Sequence, residues 1–477
     1  MIGRLRSRVP SALRRTLLLP LIVASALFME NLDSTVISTS LPVIAEDLGE
    51  NPIALKLALT AYFVSLAVFI PISGWMADRH GSRTVFRLAI MVFMFGSLLC
   101  AMASSLEGFV LARFVQGMGG AMMVPVGRLV LLKSVPKSEL VQALSYLTIP
   151  ALLGPVFGPP LGGFISTVFH WRWIFIVNLP IGLIGLYLVS RHVPQIFEEQ
   201  VAPLDVRGFL LSGFGLSALI LGLSTTGAHL LPREASLAAM AAGAISLAFY
   251  VRHAYAHPHP VLDFSFLKVA TYRTGVLGGA LFRIGVGAMP FLLPLLLQLG
   301  FGYSALQSGL ITCTSAIAAI FMKTMAVAIL RRLGFRTVLV ANALIASTSL
   351  AAYALFTDTT PYAAMIAVLL FGGFFRSLQF TALGALAYAD IERERMSPAA
   401  SLANVTQQIA QSLGVTVAAF ALESIAAMHG RESVAASDFG PAFVLVSLIA
   451  ASSFFMNIRL AADAGAEVSG RRPRDGA

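Results

Sequence analysis

Apolar residues occupy this chain in long blocks separated by short charged or Gly/Pro-containing breaks. Blocks of about 20 residues, the length a helix needs to cross a bilayer core, recur from Leu17 to Phe455. About fourteen emerge: Leu17–Ser38, Leu55–Ala77, Val85–Ala103, Phe109–Leu131, Val141–Val168, Ile174–Val189, Gly208–Leu223, Ala235–Val251, Thr274–Leu299, Gln307–Leu330, Thr337–Phe356, Tyr362–Ala387, Ala400–Ile425 and Pro441–Ile458. The seventh and eighth decide between fourteen helices and twelve with a long central loop. Leu210–Leu223 and Ala238–Tyr250 are too apolar for a solvated loop, so they read as a membrane hairpin.

Composition agrees with this pattern. Of 477 residues, 57% are apolar and 12% charged, against roughly 25% charged in a soluble domain. Lys and Arg gather in short loops that stay in the cytoplasm. With the N-terminus inside, roughly 25 of the 33 Lys and Arg fall on that side, including Arg4, Arg79, Arg83, Lys133, Arg252, Arg331, Arg395 and Arg472. Lys56, Arg172, Arg233 and Arg431 fall outside, and an even number of crossings returns the C-terminus to the cytoplasm. The net charge of +10 therefore expresses orientation in a membrane, not nucleic-acid binding. The basic start followed by an apolar block outlines a secretory leader, but Glu30 and Asp33 inside the block and its length make it a first span. Cys100 and Cys313 are isolated in apolar blocks and imply no disulfide. His253, His257 and His259 lie close together without a cysteine or a second cluster, so no metal site is expected.

An internal repeat is visible. Gly81-Ser-Arg-Thr-Val85 returns as Gly334-Phe-Arg-Thr-Val338, and at the same offset Gly119-Gly120 returns as Gly372-Gly373. The expected organisation is a basic N-terminus (1–16), a six-helix half (17–192), an inserted transmembrane hairpin (206–252), a second six-helix half (274–459) and a cytoplasmic tail (460–477). Gly74-Trp-Met-Ala-Asp78-Arg79-His-Gly81-Ser-Arg83 resembles the loop between helices 2 and 3 of the major facilitator superfamily. Asp78 at a helix C-terminus opposes the helix dipole unless a helix N-terminus or a cation meets it, and Ser397-Pro398 is a candidate start for such a helix. In the resembled family this contact closes the cytoplasmic gate; the second copy carries Arg331 in place of Asp78.

Further motifs narrow the branch. Asn31-Leu-Asp33-Ser-Thr35 through Leu41-Pro42 is similar to the end of helix 1 in fourteen-helix drug:proton antiporters of the EmrB/QacA type. Arg113-Phe-Val-Gln116-Gly117 resembles the helix 4 motif linked there to proton transfer, and Gly119 to Arg128 is similar to MdtD-like members of the branch. Gly154-Pro155-Val-Phe-Gly158-Pro159-Pro-Leu-Gly162-Gly163 resembles the antiporter motif of helix 5, with Ser145 where a glycine is usual, and Trp171 to Pro180 follows as that branch has it. The resemblance implies an all-α major facilitator fold, two six-helix halves plus the hairpin, that is, a multi-pass protein of the cytoplasmic (inner) membrane.

A charge at mid-membrane costs at least about 2.5–3.5 kcal/mol on insertion scales, so each one needs a reason. Glu30 and Asp33, three apart on one helical face, repel as carboxylates, which makes the pair a natural proton carrier with Arg113 as counter-charge. Arg283, Arg376 and Lys323 lie in the second half. In the resembled fold the first and fourth helices of each half line a central cavity, which implies Asn31, Gln116, Arg283, Arg376 and Gln379 as its wall. Gly154, Gly158 and Gly162 recur every four residues and form a smooth stripe for close helix packing, with Pro155 and Pro159 permitting a bend.

The function expected is secondary active transport without cofactor, the proton-motive force expelling drugs or similar small amphipathic compounds. A small organic anion or metabolite is the alternative substrate, given the intramembrane arginines. No HExxH, GxxxxGK[ST] loop or sizeable soluble output domain supports an enzyme, an ATP-driven pump or a sensor. The partners expected are small molecules, protons and the bilayer, with no nucleic acid; oligomeric state stays open, a monomer being compatible.

Overall fold

Lipid offers no hydrogen bonds, so every backbone N–H and C=O within it must be satisfied inside the chain, and helices do this locally. The computed structural model describes residues 18–135, 140–198, 201–225, 232–392, 395–431 and 433–469, with backbone alone over 140–152. The expected N-terminal segment 1–16 and residues 470–477 of the tail, with Arg4 and Arg472, lie outside the described residues, and so does the side chain of Ser145. The long helices are α1 (Leu19–Thr39), α2 (Lys56–His80), α3 (Ser82–Met102), α4 (Leu106–Ser134), α5 (Leu140–Val168), α6 (Trp173–His192), α7 (Val206–Thr225), α8 (Arg233–Ala256), α9 (Ala270–Gly300), α10 (Ala305–Leu333), α11 (Phe335–Leu355), α12 (Tyr362–Ala387), α13 (Met396–Met428) and α14 (Ala436–Asn457). Thirteen are long and apolar enough to cross a membrane, and α5 adds a further 29 residues. Large apolar side chains such as Leu111, Tyr187, Phe249 and Phe321 stand exposed on the outside, as a lipid-facing surface requires.

Packing repeats between α1–α6 and α9–α14. α1 packs on α5 as α9 packs on α13, and α2 and α3 pack on α4 as α10 and α11 pack on α12. The repeated glycines occupy matching places. Gly81 and Gly334 both have φ in the left-handed region, 88° and 79°, where each chain turns from the second helix of its half into the third. A Cβ on Gly119 would meet α3 as one on Gly372 would meet α11, and Gly120 faces α2 as Gly373 faces α10.

The halves meet along two seams, α2–α13 and α5–α10. At the end opposite the arginine-rich loops both seams are tight. Lys56 on α2, 1% exposed, pairs with Glu423 on α13 at 2.8 Å. Gly163 and Gly309 let α5 and α10 touch backbone to backbone, and Gln298 donates to the Thr39 carbonyl at 2.9 Å. The hairpin α7–α8 lies across the α2–α13 seam. α7 packs on α2 and α13, with Phe69 and Phe209 5.9 Å apart and a Ser224–Thr416 hydroxyl pair at 2.9 Å.

Candidate functional site

Asp33 sits on α1 where that helix faces α4 and α6, and it is completely buried. Its Oδ2 accepts from Arg113 Nη1 at 2.6 Å, and its Oδ1 accepts from Gln116 Nε2 and Asn178 Nδ2, each at 2.8 Å. Arg113 also donates to Gln116 Oε1 at 2.5 Å, and Ser97 Oγ accepts from Gln116 and Asn178 at 2.8 and 3.3 Å. The guanidinium stacks 4.3 Å over the ring of Tyr62, which partly replaces hydration for Nε and Nη2, atoms that have no hydrogen-bond partner. Glu30, one turn earlier on α1, stands with Tyr62 next to Gly120, half-buried. The structure thus brings Glu30, Asp33, Arg113 and Gln116 to one place.

Behind Asp33, α1 lies on the glycine stripe of α5. A Cβ on Gly154 would come within 2.8 Å of Asn31 Cβ, and Cβ atoms on Gly158 and Gly162 would collide with Thr35 and the Val36 carbonyl. Three hydroxyls cross the same surface, Thr35, Thr39 and Ser40 donating to the carbonyls of Gly154, Pro159 and Gly162 at 3.3, 3.1 and 3.4 Å. The stripe therefore couples the Asp33 helix to α5, and α5 touches the other half through Gly163.

Between the halves lies a cavity of about 640 Å³, a volume suited to a drug-sized molecule. Its wall comes from α1, α5, α9, α10 and α12 and is mostly apolar, with Lys323 and Arg376 as its charged side chains. The expected wall needs correction here. Arg376 lines the cavity and Arg283 lines an adjoining recess with Arg128 and Tyr388. Gln116 is drawn into the Asp33 network. Gln379 is fully buried and bonds Asn342 of α11 at 2.9 Å, and Asn31 donates to its own helix at Leu27 and faces α5. α4 is absent from the described wall because its polar residues Arg113 and Gln116 are spent on Asp33 of α1 and Ser97 of α3.

The sequence profile of the Major Facilitator Superfamily matches residues 23–415. The chain belongs to this superfamily. It is 37% identical over 412 residues to a chain of Serratia proteamaculans named as multidrug resistance protein MdtD, with 85% of each covered. It is 34% identical over 433 residues to a chain of Haemophilus influenzae named as transport protein HsrA, covering 91% of this chain and 92% of that one. Its fold is similar to the solved structure of the POT family transporter PepTSo, with a TM-score of 0.69 at 14% identity over 94% of this chain and 98% of that one. The protein is accordingly a multi-pass membrane transporter and not an enzyme.

The superfamily loop at the basic end is built from Gly81, whose absent side chain leaves room for Gln195 and Phe197 of the segment after α6. Arg79 is exposed and Arg83 half-buried. Asp78 pairs with Lys133 of α4 at 2.9 Å, Lys133 also binds Glu198, and Ser397 at the start of α13 is exposed. Both partners are partly solvated, so the pair contributes about 0–1 kcal/mol. Asp78→Asn is expected to leave the thermal midpoint within about 2 °C of the parent while lowering transport severalfold, as the gate role expected for Asp78 requires. A large loss of stability in a melting curve would make the pair structural instead.

Sequence reading missed several groups. Asn178 and Ser97, each an isolated polar residue in an apolar helix, complete the Asp33 network, and Lys323, read from the sequence only as a mid-membrane charge, lines the cavity. The histidine cluster acquires Asp205. His253 Nε2 lies 2.7 Å from Asp205 Oδ1, and with His257 their ligand atoms fall within 4.8 Å of one another. Burial opposes ionisation of Asp205, but the Gly208 amide and His253 hold its carboxyl below the usual carboxylate range. The pair ties the end of α8 to the start of α7.

Proposed function

We propose that this transporter exports drugs or similar small amphipathic compounds in exchange for protons, by alternating access. The observation that carries the reading is Asp33, a fully buried carboxylate on α1 whose partners Arg113, Gln116 and Asn178 all lie on other helices. A proton arriving at Asp33 cancels its attraction to Arg113, and α1 is then held to α4 and α6 by neutral contacts alone. Movement of α1 reaches the other half through the glycine stripe of α5 and its contact with α10. The names of the relatives point to drugs as cargo, and the basic end is assigned to the cytoplasm by its arginines. A proton moving down 100 mV releases about 2.3 kcal/mol, enough for roughly a fifty-fold gradient of a neutral substrate. The test is purified protein in proteoliposomes with an imposed pH gradient and a panel of cationic, neutral and anionic compounds. Gradient-dependent accumulation with counter-movement of protons is expected; accumulation indifferent to the gradient would sink the coupling.

A further inference from the structure

From Ala270 to Ala387 the chain carries seven basic residues and a single acidic one, Asp358, in the loop before α12. Most of the bases sit at the ends of helices. Arg283, Lys323 and Arg376 do not. Lys323 and Arg376 line the central cavity from α10 and α12. Arg376 is 8% exposed, and its polar contact is the Tyr353 hydroxyl at 3.1 Å. Arg283 lies 4.9 Å over the ring of Phe380, itself part of the cavity wall. Among the described residues no carboxylate lies within ion-pair distance of any of the three. The buried acid that could have balanced them, Asp33, is already held by Arg113.

A buried cation without a carboxylate partner, as Arg376 is, is unfavourable unless something that enters the cavity supplies the opposite charge, and Lys323, exposed on the same wall, adds a second positive group. We infer that the cargo is an amphipathic organic acid, whose carboxylate or sulfonate lies between Lys323 and Arg376 while its apolar body covers Met289, Leu293 and Phe380. This rests on the exporter reading and narrows it. It also fixes the electrical character of the cycle, since one proton in for one monoanion out carries two positive charges inward, whereas a monovalent cation would carry none.

The test uses the full chain in proteoliposomes and three dansyl probes that differ only in ending in a carboxylate, a primary amide or a trimethylammonium group. Counterflow exchange without a pH gradient reads substrate class independently of proton coupling. The carboxylate probe is expected to exchange with a half-saturating concentration about tenfold lower than the trimethylammonium probe. Arg376→Gln and Lys323→Gln should each remove about that advantage, and Arg376→Lys should retain most of it. A cooperative melting transition near that of the parent reports that each variant is folded. Equal or better exchange of the cationic probe, or equal losses for all probes in the variants, overturns the anion assignment and leaves the exporter reading standing. Exchange of none of the three by the unmodified protein removes both. Carboxylate exchange that a pH gradient cannot drive keeps the substrate class and sinks the proton coupling.

Discussion

Asp33→Asn protein should fail to accumulate substrate under any imposed pH gradient, and the proton flux linked to transport should vanish. Asparagine preserves the shape of the side chain, and its oxygen can still accept from Gln116 and Asn178. Its amide nitrogen would then face Arg113 Nη1, donor against donor, and the guanidinium would be left buried without a counter-ion. Removing one partner of a buried pair costs about 3–5 kcal/mol, so a lower thermal midpoint should accompany the functional loss. The double variant Asp33→Asn with Arg113→Gln separates the two effects. It should recover much of the stability, because no buried charge remains unpaired, and none of the gradient-driven accumulation. Proton-driven accumulation that survives Asp33→Asn would move the carrier to Glu30, and Glu30→Gln would become the deciding measurement.

Gly162→Val should be nearly as damaging by a purely steric route. The added atoms would press on the Val36 carbonyl and on Thr39, whose Oγ1 lies 2.9 Å from the Cβ position. Backbone cannot rotate out of the way as a side chain can, so α1 and α5 must part. Overpacking of this kind costs about 1–3 kcal/mol, and here it also severs the link between the Asp33 helix and the α5–α10 contact. A melting midpoint lowered by several degrees, with transport lost, is expected. Gly74→Ala is the control, because nothing lies within 4 Å of its Cβ position, and its midpoint should not fall. An unchanged midpoint for Gly162→Val would mean that the stripe is looser than the contact implies.

The spans, the hairpin and the repeated glycines could be read from the chain because lipid selects on length and apolarity, and turns at Gly81 and Gly334 need a residue tolerant of positive φ. The pairing of Asp33 with Arg113 was legible too, since mid-membrane charges are few and opposite signs seek each other. Which way Gln116 and Gln379 turn was not. A helix apolar on every side carries little record of which face meets which neighbour, and that choice is made by contacts between helices far apart in sequence. Asn178 illustrates the point, being 145 residues from the carboxylate it binds. The mid-helix lysine Lys323 could have been assigned to lipid, a snorkelling position or the cavity until α12 was set beside α10.

The placement of the hairpin α7–α8 gives the molecule a front and a back within the plane of the membrane. With α7 lying over α2 and α13, an oily molecule dissolved in the bilayer meets a wall on that side. Among the described residues no helix outside the two halves covers the α5–α10 side. On that side the halves meet directly, α5 on α10, and Lys323 stands on one of the two helices that form the seam.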